Sequence, residues 1–308
     1  MRKKAHLIID VARCQGCNNC MLACKDEHVG NEWPGYTGAQ ALHGERWIDI
    51  PCRERGQFPL IDVTYRPTLC THCADAPCIA RSGGAISERP DGIVMIDMNK
   101  ARDARLTEAC PYGMIAWNEE AGAAQKCTLC AHLLDDGWER PRCVTACGPG
   151  ALSFVRMDDA EFAAYAAREG LVTLHPGRLE DTAVVYKNLS RFSDCFIAGS
   201  VAVERNGVAE CAAGAELLLE RLAGPQEECA RVAQQWTAIA DTFGDFKFDG
   251  LKARSGEYRL SACLPGHGSA ELRVVLTESL NVGTILFRAG SEPVVTRHIP
   301  VEVTDVAL

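Results

Sequence analysis

The chain has 308 residues, 47% of them hydrophobic, which is long and apolar enough for two domains with substantial cores. Its net charge of −9 argues against a nucleic-acid partner and disfavours an anionic membrane surface. No run approaches the roughly 18 apolar residues that a spanning helix needs.

Residues 1–6 are basic but run into only three apolar residues before Asp10, and no twin-arginine pair is present. That pattern is no secretory leader, so the expectation is a cytoplasmic chain unless a partner carries it across a membrane. Leu7-Ile8-Ile9-Asp10-Val11 predicts a short strand. Immediately after it comes Cys14-x2-Cys17-x2-Cys20-x3-Cys24, the cysteine spacing of bacterial ferredoxins. Three thiolates at i, i+3 and i+6 wrap one iron–sulfur cube. The fourth, expected to start a helix, serves a second cube. Proline usually follows that fourth cysteine; here Lys25 does.

A middle group follows, Cys70-x2-Cys73-x4-Cys78, with Cys110-Pro111-Tyr112-Gly113 further on. Between them, Arg89-Pro90-Asp91-Gly92 marks a turn and Ile93-Val94-Met95-Ile96 a strand. The last group is Cys127-x2-Cys130-x12-Cys143-x3-Cys147, which mirrors the first. The mirror symmetry pairs Cys14, Cys17, Cys20 and Cys147 around one cube, and Cys24, Cys127, Cys130 and Cys143 around the next. Cys70, Cys73, Cys78 and Cys110 make a third set of four. Isolated CxxC pairs read as zinc sites as readily as iron–sulfur ones, but CxxCxxCxxxC is a poor zinc pattern. A disulfide framework belongs to small secreted chains. Three [4Fe–4S] clusters on twelve of the seventeen cysteines is therefore the expectation. Cys52, Cys195, Cys211, Cys229 and Cys263 have no partner spacing, and most are expected to be buried small apolar residues. His72 and His132, inside cysteine groups, are read as supporting hydrogen-bonding residues and not as ligands. Trp33, Trp47 and Trp117 are read as core or interface residues.

Residues 158–165 predict a helix with acidic residues at its start and Gly170 as its stop. From about Cys195 the cysteine groups vanish. Alternating runs take over at Phe246-Lys247-Phe248, Glu257-Tyr258-Arg259-Leu260, Arg273-Val274-Val275-Leu276 and Val301-Glu302-Val303, with turns at Arg205-Asn206-Gly207 and Asp249-Gly250. The fold class expected is α+β. A ferredoxin-like 4Fe-4S domain over 1–190, with 25–126 as an inserted second cluster subdomain, precedes an all-β immunoglobulin-like or transthyretin-like sandwich or barrel over 195–308. The junction falls within 180–194. No G-x-S-x-G, H-E-x-x-H or glycine-rich phosphate loop is present, and no catalytic residue is expected here.

Over roughly residues 5–155 the chain resembles the iron–sulfur subunits of the molybdopterin oxidoreductases of the dimethyl sulfoxide reductase group. Leu69-Cys70-Thr71-His72-Cys73, Ala109-Cys110-Pro111-Tyr112-Gly113 and Lys126-Cys127-Thr128-Leu129-Cys130 carry the likeness. It implies a large catalytic partner holding molybdenum and molybdopterin guanine dinucleotide. It also implies that the Cys14 set lies nearest that partner and the Cys70 set further out. Members with four clusters have further cysteines where this chain has Ser82, Lys100, Asp103 and Leu106, so one whole site, the distal one, is expected to be missing. Asn31-Glu32-Trp33-Pro34-Gly35-Tyr36-Thr37, Cys130-Ala131-His132-Leu133-Leu134-Asp135-Asp136, Tyr186-Lys187-Asn188-Leu189 and Gly244-Asp245-Phe246-Lys247-Phe248 extend the resemblance. They point to the small subunits of enzymes that hydroxylate or transhydroxylate phenolic rings. A reductase of sulfoxides or inorganic oxoanions is the broader alternative, and a stand-alone polyferredoxin the third.

Overall fold

The computed structural model describes residues 3–175, 181–222, 232–288 and 294–296. Cys229 and the strand expected at 301–303 lie outside the described residues. The chain divides into two compact units. The first comprises residues 1–53 and 64–192, the second 54–63 and 193–308.

In the first unit, the apolar run near the N-terminus becomes the strand Lys4–Asp10, buried on both faces. It is the centre of a three-stranded sheet. Leu152–Met157 pairs with it antiparallel, Leu7 opposite Phe154, and Val184–Lys187 pairs parallel, Leu7 opposite Val184. Ala5, Leu7, Ile9, Leu152, Val184 and Tyr186 join Cys20, Leu129 and Cys143 in one core, so the sheet backs directly onto cysteine-bearing segments. Two further ribbons, Ile86–Glu88 with Val94–Ile96 and Ala116–Asn118 with Ala123–Gln125, complete a loop-rich body. A second core, with Ile86, Val94, Ile96, Ala101, Leu106 and Ile115, packs beside Cys78.

The helix Asn19–His28 begins before Cys20, earlier than the spacing implied, so Cys20 and Cys24 lie one turn apart on one face. The helix Asp159–Glu169 forms as the sequence predicts. Asp158 and Glu161 close a capping box, and left-handed Gly170 ends it.

In the second unit, Cys195–Arg205 lies between Asp245–Leu251 and Leu280–Arg288, with Val208–Cys211 and Val294–Thr296 extending that sheet. Glu216–Leu222, Val232–Ile239, Gly256–Leu264 and Gly268–Leu276 form the other sheet. Both sheets feed one core, where Ile197, Val201, Phe246, Phe248 and Phe287 meet Leu217, Leu219, Tyr258, Leu260 and Leu276. The Asn206-Gly207 turn forms with both residues left-handed, at φ 53 and 80, as a tight hairpin requires. Asp249-Gly250 is not a turn. It sits inside the strand Asp245–Leu251, at a register shift against Cys195–Arg205 with Gly250 at φ 77, as a bulge.

The unpaired cysteines also depart from expectation. Cys195 is buried, whereas Cys52, Cys211 and Cys263 are exposed. Strand alternation is the reason at Cys263: Ala262 and Leu264 take the core face and turn the residue between them outward.

Candidate metal centre

Four segments of the first unit present the twelve cysteines. Cys14 and Cys17 sit on the loop after the first strand, and Cys20 and Cys24 on the helix that follows. Cys78 lies on the short helix Pro77–Arg81, which opens on Pro77, and Cys143 on Arg142–Thr145. All the described cysteines are free thiols.

Mutual electrostatic influence sorts them. Cys14 feels Cys17 and Cys147, and Cys20 feels Cys14, Cys17 and Cys147. Cys24 and Cys143 both feel Cys127 and Cys130. Cys78 feels Cys70, Cys73 and Cys110. Links also run between sets, through Cys20 to Cys24 and Cys143, and through Cys127 to Cys70. Cys24 and Cys127 are thus influenced from neighbouring groups, by Cys20 and Cys70 respectively.

Three of the CxxC loops, 14–17, 70–73 and 127–130, share one backbone feature. Their third residues, Gly16, His72 and Leu129, are all left-handed, at φ 67, 46 and 48. Only glycine takes that conformation freely, and elsewhere it costs about 1–2 kcal/mol. The conformation accompanies main-chain N–H groups aimed at sulfur. Leu129 donates to Cys127 Sγ and Met114 to Cys110 Sγ, each at 3.4 Å. Leu152 donates to Cys147 Sγ at 3.4 Å, and Gly16 and Met21 serve Cys14 and Cys20. Such donors favour thiolate over thiol.

Burial opposes them. It pushes Cys20, Cys78 and Cys127 up to about 11, Cys130 to about 12, and Cys24 and Cys143 well above the ordinary thiol value. Neighbouring sulfurs add to the rise at Cys24 and Cys143. Sulfurs supplied with N–H donors yet reluctant to ionise fit a cationic iron core, which removes the cost of thiolate burial. Among the described residues no three His, Cys, Asp or Glu side chains converge as a single metal ion demands. Two sets border small voids. One void is bounded by Cys24, Cys127, Cys130 and Cys143 with Thr128, the other by Cys70, Cys73, Cys78 and Cys110 with His72. Thr128 Oγ1 and His72 Nε2 are buried without partners, donors available to an inorganic sulfide.

His72 Nδ1 accepts from the N–H of Val94 at 3.0 Å, so its proton sits on Nε2, and burial holds its pKa well below the usual histidine value. His132 Nε2 lies 3.0 Å from Glu27 Oε1, and Glu27 also binds Arg142 at 3.1 Å. The imidazole stacks on Trp33 at 4.2 Å. Trp47 is buried against His28 and Trp117 packs on the second core. Sequence reasoning missed Lys126. It is buried and donates from Nζ to the carbonyls of Val94 at 2.6 Å and Cys127 at 2.8 Å. Nothing in its sequence setting distinguishes it from a surface lysine.

At the positions where the sequence leads one to expect a lost site, Ser82 Oγ is engaged with Ile79 and Ile86. Lys100 pairs with Asp97, Asp103 caps Arg105, and Leu106 fills the second core. Among the described residues no helix is long and apolar enough to cross a membrane.

Residues 61–157 match the 4Fe-4S dicluster domain family. The pyrogallol hydroxytransferase small subunit of Pelobacter acidigallici is 41% identical over 284 residues, covering 91% of this chain and 98% of that one. The putative dimethyl sulfoxide reductase iron-sulfur subunit of Halobacterium salinarum is 34% identical, covering 50% of this chain and 66% of its own. The thiosulfate reductase electron transfer subunit PhsB of Salmonella typhi is 30% identical, covering 55% and 90%. Among solved structures, the minor pilin GBS52 of Streptococcus agalactiae gives a TM-score of 0.23 at 20% identity, over 38% of this chain and 51% of that one, too low to bear on the fold. With a relative of that identity aligned almost end to end, the chain belongs to the family of [4Fe–4S] electron-transfer subunits of the dimethyl sulfoxide reductase group of molybdoenzymes, alongside the pyrogallol hydroxytransferase small subunit.

Proposed function

We propose that this chain carries three [4Fe–4S] clusters as a relay for a molybdopterin catalytic subunit that hydroxylates or transhydroxylates phenolic rings. Two voids bordered by four cysteines each, the Cys24 and Cys70 sets, support the reading, with Cys14, Cys17, Cys20 and Cys147 as the remaining four. Cys14, Cys17, Cys20 and Cys147 hold the first cluster. Cys24, Cys127, Cys130 and Cys143 hold the second, and Cys70, Cys73, Cys78 and Cys110 the third. When bound, the clusters pass single electrons. The chain's own residues hold each sulfur, supply N–H donors and exclude water. The filled positions at Ser82 and Leu106 support a count of three and not four. We read the first unit as a ferredoxin-type domain with an inserted cluster subdomain, and the second as a sandwich on the strength of its two sheets and shared core.

The partner would hold the molybdenum, the pterin and the substrate, with no catalytic residue on this chain. The near full-length match to a pyrogallol hydroxytransferase small subunit favours transhydroxylation, in which electrons return to the products. A resorcinol-hydroxylase type, which exports electrons, is the second reading, because the same small subunit would serve either. Reductases of sulfoxides or oxoanions fit less well, since those relatives match only about half of this chain.

Iron analysis of the purified complex tests the count: about twelve atoms per copy of this chain is expected. A value near sixteen or near eight would overturn it. Turnover of a pair of hydroxybenzenes without added acceptor would establish transhydroxylation, and an obligatory acceptor would establish the hydroxylase.

A further inference from the structure

Lys126 is 2% exposed. Its ammonium is held by two neutral carbonyls, those of Val94 and Cys127, and by no carboxylate among the described residues. A buried cation with only dipoles around it is costly, and such charges persist where an opposite charge compensates them. The two carbonyls belong to residues that border different cysteine sets: Cys127 borders the void of the Cys24 set and Val94 that of the Cys70 set. The charge of Lys126 favours the thiolate of Cys127 and also that of Cys78, one from each set. Lys25 at Cys24 and Arg142 at Cys130 act on the Cys24 set as well.

We propose that Lys126 is the shared counter-cation of the two clusters on the Cys24 and Cys70 sets, and that its charge fixes their reduction potentials as a pair. The proposal rests on the three-cluster reading above. A cluster held by four thiolates is net negative and gains one more negative charge on reduction. A fixed positive charge in a poorly screening interior therefore stabilises the reduced form more. Because one ammonium faces both sets, it raises both potentials together. A common shift leaves the difference between the two potentials to the ligands of each set. Lys126 touches no reacting atom of the substrate, so it is a positioning residue for charge.

The test is a redox titration, followed by electron paramagnetic resonance, of the complex purified with its large subunit. Lys126→Gln keeps N–H donors for the two carbonyls and removes the charge. The expected result is unchanged iron, at about twelve atoms per chain, with two midpoints lowered and the third unmoved. Each fall should be at least tenfold in the oxidised-to-reduced ratio, about 59 mV for a one-electron couple. Lys126→Arg, which keeps the charge, should leave all three potentials near those of the unmodified protein. Unmoved potentials in an iron-replete Lys126→Gln complex would overturn the proposal and leave Lys126 a packing residue. Should Lys126→Gln fail to assemble, lowered potentials in Lys126→Arg would overturn it equally. Iron far from twelve in the unmodified complex would instead remove the three-cluster reading, and this proposal with it.

Discussion

The ammonium of Lys126 donates to the carbonyl oxygen of Val94 at 2.6 Å, while the N–H of the same residue donates to His72 Nδ1 at 3.0 Å. One peptide-bearing residue of a short ribbon thus joins two cysteine loops, 70–73 and 127–130. The join is rigid because both donors and both acceptors are buried and none can turn to water.

That geometry makes His72 replaceable in one direction only. Asn at this position can offer Oδ1 where the imidazole offers Nδ1, and it tolerates the left-handed backbone that His72 adopts at φ 46. Leu can do neither. His72→Leu should destabilise the chain by about 1–3 kcal/mol for the orphaned Val94 N–H alone, and should release iron. His72→Asn should retain both iron and unfolding midpoint. Equal behaviour of the two variants in thermal unfolding and iron assays would contradict the account.

Gly16 stands under the ring of Tyr65. A Cβ added there would lie 2.5 Å from Tyr65 Cε1, and the residue is left-handed at φ 67. Gly16→Ala must therefore move the Cys14–Cys17 loop. The expected outcome is loss of the cluster on the Cys14 set alone, with iron falling from about twelve to about eight atoms per chain. The other two signals should persist in electron paramagnetic resonance. Full iron in Gly16→Ala would show that the loop has slack the structure does not display.

That the chain is a 4Fe-4S protein is legible from cysteine spacing, because a cluster imposes short, local constraints on loop length. Helix 159–169 is legible for a similar reason, its capping box and Gly170 being contiguous in sequence. What escapes the sequence depends on distant partners. Lys126 looks like any charged residue beside a cysteine, and only the folded neighbourhood buries it. Asp249-Gly250 carries the dipeptide of a turn, yet pairing with Cys195–Arg205 makes it a bulge. Residues 54–63 sit between cysteine groups in sequence and still belong to the second unit.

Arg55 explains that last placement. Its guanidinium is fully buried, reaches Asp249 through two bonds at 2.8 and 2.9 Å, and also binds Asp62 and the carbonyl of Asp194. Phe196 lies against it, 5.2 Å from ring centre to charge. Arg55→Met removes the guanidinium that the two carboxylates share and leaves Lys247, 3.1 Å from Asp62 and 3.2 Å from Asp249. The expected loss is about 3 kcal/mol, the low end for a broken buried pair because Lys247 remains. Adding Asp249→Asn should recover part of it. Denaturant unfolding followed by circular dichroism measures both. A double variant less stable than Arg55→Met would contradict the charge argument.

His6 gives the first unit an acid sensitivity independent of the cysteines. Its ring stacks on Phe162 at 3.4 Å, and burial lowers its pKa from 6.5 to about 4, with Asp159 partly opposing and Lys4 adding slightly. Among the described residues no hydrogen-bond partner meets either ring nitrogen. The folded state thus binds this proton less readily than the unfolded chain. Stability from the neutral ring is fully present above the unfolded pKa and falls as pH drops from about 6.5 towards about 4. Between pH 7 and pH 5 the loss is about 2 kcal/mol. His6→Phe keeps an aromatic ring for Phe162 and cannot be protonated. The expected result is a stability–pH profile over that window that is flatter than the unmodified protein's by about that amount. Parallel profiles for the two proteins would show that His6 takes up its proton in place, and that Asp159 compensates it more fully than its burial opposes.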